Sequence, residues 1–164
     1  MINKNDRQSK PLIHCITNPI SINQCANTVL AVGAQPIMAE HPKEVCDITR
    51  ASDALMLNIG NITDARMEAM PISLKEAERK NIPVVLDVVG LACSSLRKDF
   101  ISKLMKVAIP TVIKGNYSEV FALYDKGYRS LGVDADASLD VCHVTKAAKQ
   151  LALKYKTVIL WIFL

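Results

Sequence analysis

The stretch Thr111-Val112-Ile113-Lys114-Gly115-Asn116-Tyr117-Ser118-Glu119 changes character twice. Three β-branched residues read as a buried strand, Gly115-Asn116 as a turn, and Ser118-Glu119 as the start of a helix. In an open parallel sheet such a corner lies outside the carboxyl ends of the strands, where helix N-termini present unpaired N–H groups and ligands collect. Lys114 and Glu119 add a cation and a carboxylate to it. That combination suits a nucleotide phosphate with Mg²⁺, which takes oxygen ligands. The same residues also read more simply, as a lysine marking a strand end and an acid favoured by the dipole of a first helical turn.

On either side of this corner short apolar segments alternate with helical periodicities. Strands are expected at Leu12–Ile16, Pro36–Ala39, Ala54–Ile59, Pro83–Asp87 and Thr157–Leu164. Between the first two, Asn18 and Pro19 predict the cap and first position of a helix to about Val32, with Ile22, Ala26, Val29 and Leu30 on one face. Further helices are predicted over 42–52, over 63–80 behind a Thr63 cap, over 96–107, and over 118–124. Pro71 should kink the second of these. A polar loop from Asp125 to about Ala137 leads to a last helix ending at Tyr155, with Val141, Val144, Ala148 and Leu151 inward. Regular alternation of strand and helix predicts a single α/β domain over residues 1–164, three-layered, around a mostly parallel sheet with right-handed crossovers.

Composition supports this class. Half of the 164 residues are hydrophobic but only 5% are aromatic, so the core is aliphatic, as suits strands covered on both faces. The 20 basic residues exceed the 16 acids by a net charge of +4 and are scattered, which argues against nucleic acid as a partner. The five cysteines, Cys15, Cys25, Cys46, Cys93 and Cys142, form no CxxC pair and read as small buried hydrophobes of a reducing cytosol. The polar start, Met1 to Lys10, resembles no secretory leader, and no apolar run approaches the roughly 20 residues that span a bilayer. A cytoplasmic protein with no membrane partner is expected. No P-loop occurs, and no G-x-G-x-x-G follows a strand.

Asp87 must stand at the end of its strand, because a strand interior tolerates no unpaired carboxylate. Asn18, Asn58, Asn116 and Glu119 fall at strand ends as well. Several polar groups gathered on one sheet edge point to a site. His14 borders that edge and reads either as a ligand contact or as a hydrogen-bonded core histidine, and Met38 either as pocket lining or as core filler.

The run Pro11-Leu12-Ile13-His14-Cys15-Ile16-Thr17-Asn18, then Asn23, Ala26-Asn27, Gly33-Ala34-Gln35-Pro36-Ile37-Met38-Ala39, Leu57-Asn58-Ile59-Gly60, Pro83-Val84-Val85-Leu86-Asp87 and Lys114-Gly115-Asn116 through Glu119 closely resembles hydroxyethylthiazole kinase. That family has a ribokinase-like fold and works in thiamine salvage. The resemblance covers nearly the whole chain in register. It implies ATP- and Mg²⁺-dependent phosphorylation of the hydroxyl of 4-methyl-5-(2-hydroxyethyl)thiazole by a homotrimer. By motif, it implies that Met38, Asn18 and Asn23 contact the thiazole alcohol. Lys114 stands where the family, often with Arg, meets the ATP phosphates, with Asn116 beside it; Asp87 and Glu119 stand where its acids lie near Mg²⁺.

Two departures qualify the resemblance. Where the family usually reads Asp-Pro-Val-Gly, this chain has Asp87-Val88-Val89-Gly90. Ile162-Phe163-Leu164 stands where the family carries Thr-Gly-Glu, and the later Gly-x-Gly-Cys turn, whose helix N-terminus forms the anion hole near the substrate hydroxyl, has no counterpart. The expectation is therefore a C-terminally truncated kinase domain with no catalytic residue assignable and little or no activity alone. The alternative expectation is a non-catalytic remnant that binds thiazole or associates with intact subunits.

Overall fold

A computed structural model describes residues 10–130 and 140–162. Twelve elements alternate along these residues: β1 (Leu12–Ile16), α1 (Ile22–Ala31), β2 (Gln35–Ile37), α2 (Val45–Ala51), β3 (Ala54–Asn58), α3 (Asp64–Lys80), β4 (Val84–Asp87), α4 (Ser95–Val107), β5 (Val112–Asn116), α5 (Tyr117–Tyr124), α6 (Val141–Tyr155) and β6 (Val158–Ile162). The strands form one six-stranded sheet in the order β2-β1-β3-β4-β5-β6, every pair parallel.

This order places β1 at the point where the winding reverses. The chain steps from β1 outward to β2, then returns past β1 and proceeds through β3, β4, β5 and β6. Right-handed crossovers therefore put α1 on one face and the helices that follow on the other. Burial agrees with this. Ile16, Leu55, Leu57, Val84, Leu86 and Ile113 are inward residues of neighbouring strands and form one cluster with Ala69, Met70 and Leu74 of α3 and Phe100, Ile101 and Leu104 of α4. Val144, Ala148 and Leu151 of α6 are buried as expected, but Val141 is 44% exposed.

Among the described residues the other face carries only α1. The helix face expected to carry Ile22, Ala26, Val29 and Leu30 is not covered, since no residue of α1 is buried and Leu30 is 56% exposed. The periodicity was amphipathic, but α1 rests mainly against the short edge strand β2, which offers little surface to cover it. Val85, Val158 and Leu160 are exposed. By strand alternation they lie on the face opposite the Leu86–Ile113 cluster.

Boundaries moved where side chains had other partners. Asn18 does not cap a helix at Pro19: its Oδ1 accepts from the N–H groups of Ile20 (3.0 Å) and Ser21 (3.1 Å), closing a turn, and the helix starts at Ile22. Gly115 and Asn116 are not a turn but the last residues of β5, which passes directly into α5. Thr63 caps α3 as predicted, and that helix continues through Pro71 as one element. Most of the expected 125–137 loop, and Phe163-Leu164, lie outside the described residues. Among the cysteines only Cys15 is buried, with its thiol pushed up to about 11 mainly by that burial; Cys93 and Cys142 are exposed. Among the described residues no helix is long and apolar enough to cross a membrane.

His14 is a satisfied core residue. Its Nε2 lies 2.8 Å from the Ala39 carbonyl and its Nδ1 2.8 Å from the Thr49 hydroxyl, which fits a neutral ring donating through Nε2. Burial holds its pKa below the ordinary value of about 6.5. The unfolded chain then binds the proton first, so stability present above about pH 6.5 is lost as pH falls through the folded pKa. Glu76, held by Arg79 and Arg50 with its pKa lowered to about 2, adds a separate loss between its ordinary value of 4.5 and about 2. Urea denaturation at stepped pH should show the upper limb in the natural chain and not in His14→Gln. An upper limb unchanged by that substitution would acquit His14.

Candidate active site

The carboxyl ends of β1, β3, β4 and β5 are joined by one run of polar side chains. At the reversal point Asn18 Nδ2 donates to Asn58 Oδ1 at 3.2 Å. Asn58 Nδ2 reaches Asp87 Oδ2 at 3.4 Å, and Lys114 Nζ donates to the same oxygen at 3.1 Å. Register makes this possible, for Asn58 pairs with Asp87 and Asp87 with Lys114 across neighbouring strands. Asp87 also turns its own loop, its Oδ1 accepting from the Val89 N–H at 3.1 Å.

Gly60 closes the edge behind this run. A Cβ there would lie 2.8 Å from Asn58 Oδ1 and 2.9 Å from Asn18 Nδ2, so only glycine lets the backbone approach the amide pair. Val88, at the position where the sequence resemblance leads one to expect proline, donates its N–H to the Lys114 carbonyl at 2.9 Å. Proline could not make that bond, which extends the β4–β5 pairing one residue past Asp87.

Glu119 stands in the first turn of α5. Its Oε2 accepts from the Asn116 N–H at 2.7 Å while Asn116 Oδ1 accepts from the Glu119 N–H at 2.9 Å, a reciprocal capping box that starts α5. Oε1 accepts from the Gly90 N–H at 2.7 Å, tying the loop after β4 to the helix after β5. Burial raises the Glu119 pKa against these two N–H bonds; the Asp87 charge acts in the same direction as burial, and Lys114 opposes it.

The structure thus brings Asn18, Asp87, Lys114, Asn116 and Glu119 to one edge. It does not bring Asn23, which is exposed on α1, and Met38 lies half-buried just past β2. Among the described residues no hydrogen bond or ion pair joins either of them to the run. Sequence reasoning also missed Arg66. Its side chain, 2% exposed, donates to the carbonyls of Thr17 (3.3 Å), Gly60 (3.2 Å) and Asn61, and to the Thr63 hydroxyl (3.3 Å), with Glu40 3.5 Å away. One guanidinium thereby pins the loops leaving β1 and β3, whose amide side chains meet. A signal existed: Arg66 occupies the first turn of α3, where the helix dipole disfavours a cation unless tertiary contacts hold it.

Among the described residues no three His, Cys, Asp or Glu side chains gather into a cage for a metal. Asp87 and Glu119 are instead two carboxylates near one lysine. Mg²⁺ is commonly held by one or two carboxylates, with water and substrate phosphates completing its octahedron, and this pair fits that chemistry.

Among the described residues a wholly parallel sheet, wound in two directions from β1 and carrying a run of polar groups along its carboxyl edge, defines an α/β protein of the ribokinase-like kind. Residues 4–162 match the family model described as the hydroxyethylthiazole kinase family. Hydroxyethylthiazole kinase 2 of Clostridium botulinum is 54% identical over 136 residues, covering 83% of this chain and 51% of that protein. Hydroxyethylthiazole kinase of Finegoldia magna is 47% identical over 151 residues, covering 92% and 56%. The solved structure of a hydroxyethylthiazole kinase protein from Pyrococcus horikoshii superposes with a TM-score of 0.81 at 28% identity, covering 97% of this chain and 58% of that one. The chain belongs to the hydroxyethylthiazole kinase family, and it spans about half the length of the curated relatives it matches.

Proposed function

We propose that this chain carries the nucleotide- and metal-holding edge of a hydroxyethylthiazole kinase, which moves a phosphoryl group from ATP to the hydroxyl of 4-methyl-5-(2-hydroxyethyl)thiazole. The observation that carries the proposal is the Lys114–Asp87 pair, 3.1 Å apart on the adjacent strands β5 and β4 at the carboxyl edge of the sheet, with Glu119 close by. Lys114 turns from Asp87 to the ATP phosphates when nucleotide arrives, and Asn116 sets the start of α5 beside them. Asp87 and Glu119 would hold Mg²⁺ through lone pairs beyond those that now accept from Val89, Asn58, Lys114, Gly90 and Asn116, and the ion would supply charge neutralisation at the phosphates. Met38, Asn18 and Asn23 are assigned to the thiazole alcohol, the cytoplasm is the proposed compartment, and a homotrimer the proposed assembly.

What supports low turnover by this chain alone is its share of the relatives' length, 51% and 56% in the two described above. A radiolabelled ATP assay with the thiazole alcohol should therefore show almost no phosphorylated product, whereas turnover of about 1–100 s⁻¹, usual for kinases, would overturn this expectation. The same share of length favours a second reading, a non-catalytic form that binds thiazole or joins intact subunits. It requires heat on titrating thiazole without ATP consumption, and a silent titration removes it.

A further inference from the structure

The helix layer holds a groove that plays no part in the edge described above. It lies between α4, the end of α5, the turn that follows and Tyr155 of α6, with a volume of about 460 Å³. That is within the roughly 300–1,000 Å³ of small-molecule sites. Neither Asp87, Lys114 nor Glu119 lines it.

Four cations do: Lys98 and Lys106 from α4, and Lys126 and Arg129 from the turn after α5. Asp99 is the single acid in the lining. None of the four cations has an ion-pair partner among the described residues. Set against Asp99 alone, the four give this groove a local excess of positive charge that the sequence shows as scattered. Lys98 is held in place, its Nζ donating to the carbonyls of Lys126 (3.2 Å) and Tyr128. It lies near enough to Arg129 that burial first, and then repulsion from that guanidinium, lower its pKa. An arriving anion would relieve that repulsion.

The remaining lining decides what kind of anion. Ser95 and Ser102 lie at i and i+7 on α4, on the same helical stripe as Lys98, Lys106 and the apolar Met105. Leu91, Ile101 and Leu123 supply further apolar surface. Cations and hydroxyls suit a phosphate, and the apolar wall suits a carbon body attached to it. We infer that the groove between α4 and α5 binds a small organic phosphate, a phosphomonoester on an aromatic or aliphatic body, at a site distinct from the Asp87–Lys114 edge.

AMP, adenosine and inorganic phosphate serve as probes on the full chain, followed by backbone amide shifts. AMP should move amides over 95–106 and 122–129, adenosine should not, and inorganic phosphate should bind more weakly than AMP. The double variant Lys126→Glu/Arg129→Glu, whose sites are exposed, should weaken AMP about tenfold or more, since charge-assisted contacts are the strong ones. Lys114→Met should leave the groove shifts unchanged, which separates this site from the proposed nucleotide edge. Should the double variant misfold, the natural chain in rising salt gives a second test, because the AMP affinity must fall with ionic strength. The inference is overturned if AMP shifts only residues near 87–90 and 114–119, if adenosine binds as well as AMP, if salt or the double variant leaves the affinity unchanged, or if AMP does not bind.

Discussion

Replacing Arg66 with Met is expected to lower the stability of the chain by about 3 kcal/mol or more. The guanidinium serves the Thr17, Gly60 and Asn61 carbonyls in a nearly solvent-free position, and each buried carbonyl left without a donor costs about 1–3 kcal/mol. Whole domains hold only about 5–15 kcal/mol, so this is a large share. The loss should be local in origin and wide in effect. Without the guanidinium the loops after β1 and β3 separate, and the 3.2 Å contact between Asn18 and Asn58 goes with them. Arg66→Lys should recover little, because a single ammonium cannot reach three carbonyls and a hydroxyl that a planar fork reaches at once. Urea unfolding of the three proteins measures this; a loss below about 1 kcal/mol for Arg66→Met, within the range of an ordinary surface change, would show that water replaces the guanidinium and that the loops do not depend on it.

The second large effect concerns ligand, not stability. Lys114→Met should weaken Mg·ATP binding by about tenfold to a hundredfold, the equivalent of one charge-assisted contact of about 1.5–3 kcal/mol. Its effect on folding should be small, since the Lys114 and Asp87 side chains keep 28% and 14% exposure and water screens their pairing. Lys114→Arg should retain or strengthen binding, because its fork can reach Asp87 and a phosphate oxygen together. Titration calorimetry with Mg·ATP separates the cases. Equal affinities for the natural chain and Lys114→Met would take the phosphates away from this edge altogether, whatever the family relationship.

The two effects differ in how legible they were. Lys114 and Asp87 stand at the ends of β-branched and aliphatic runs, and a charge cannot continue such a run into a buried sheet, so their place on one edge followed from local pattern. Arg66 had no such pattern around it; its partners are 49 and 6 residues away in the chain. The capping box was likewise half hidden. Ser118-Glu119 marked a helix start, but that Asn116 is the cap, and that the Glu119 carboxylate also gathers Gly90 from the preceding loop, depends on a contact across 29 residues.

Alternating short apolar runs and helical periods were enough to determine an α/β chain with parallel strands, because side-chain spacing of two and of 3.6 residues is a property of neighbours along the backbone. Strand order, the bare face beside α1, the exposure of Leu30 and four of the cysteines' departure from full burial were decided only when distant segments packed. The same holds for the meeting of Asn18 with Asn58, 40 residues apart, over a glycine that must lack a Cβ. Such contacts rest on complementary shapes and charges between segments that no local period encodes, so they exist only once the sheet has closed its register.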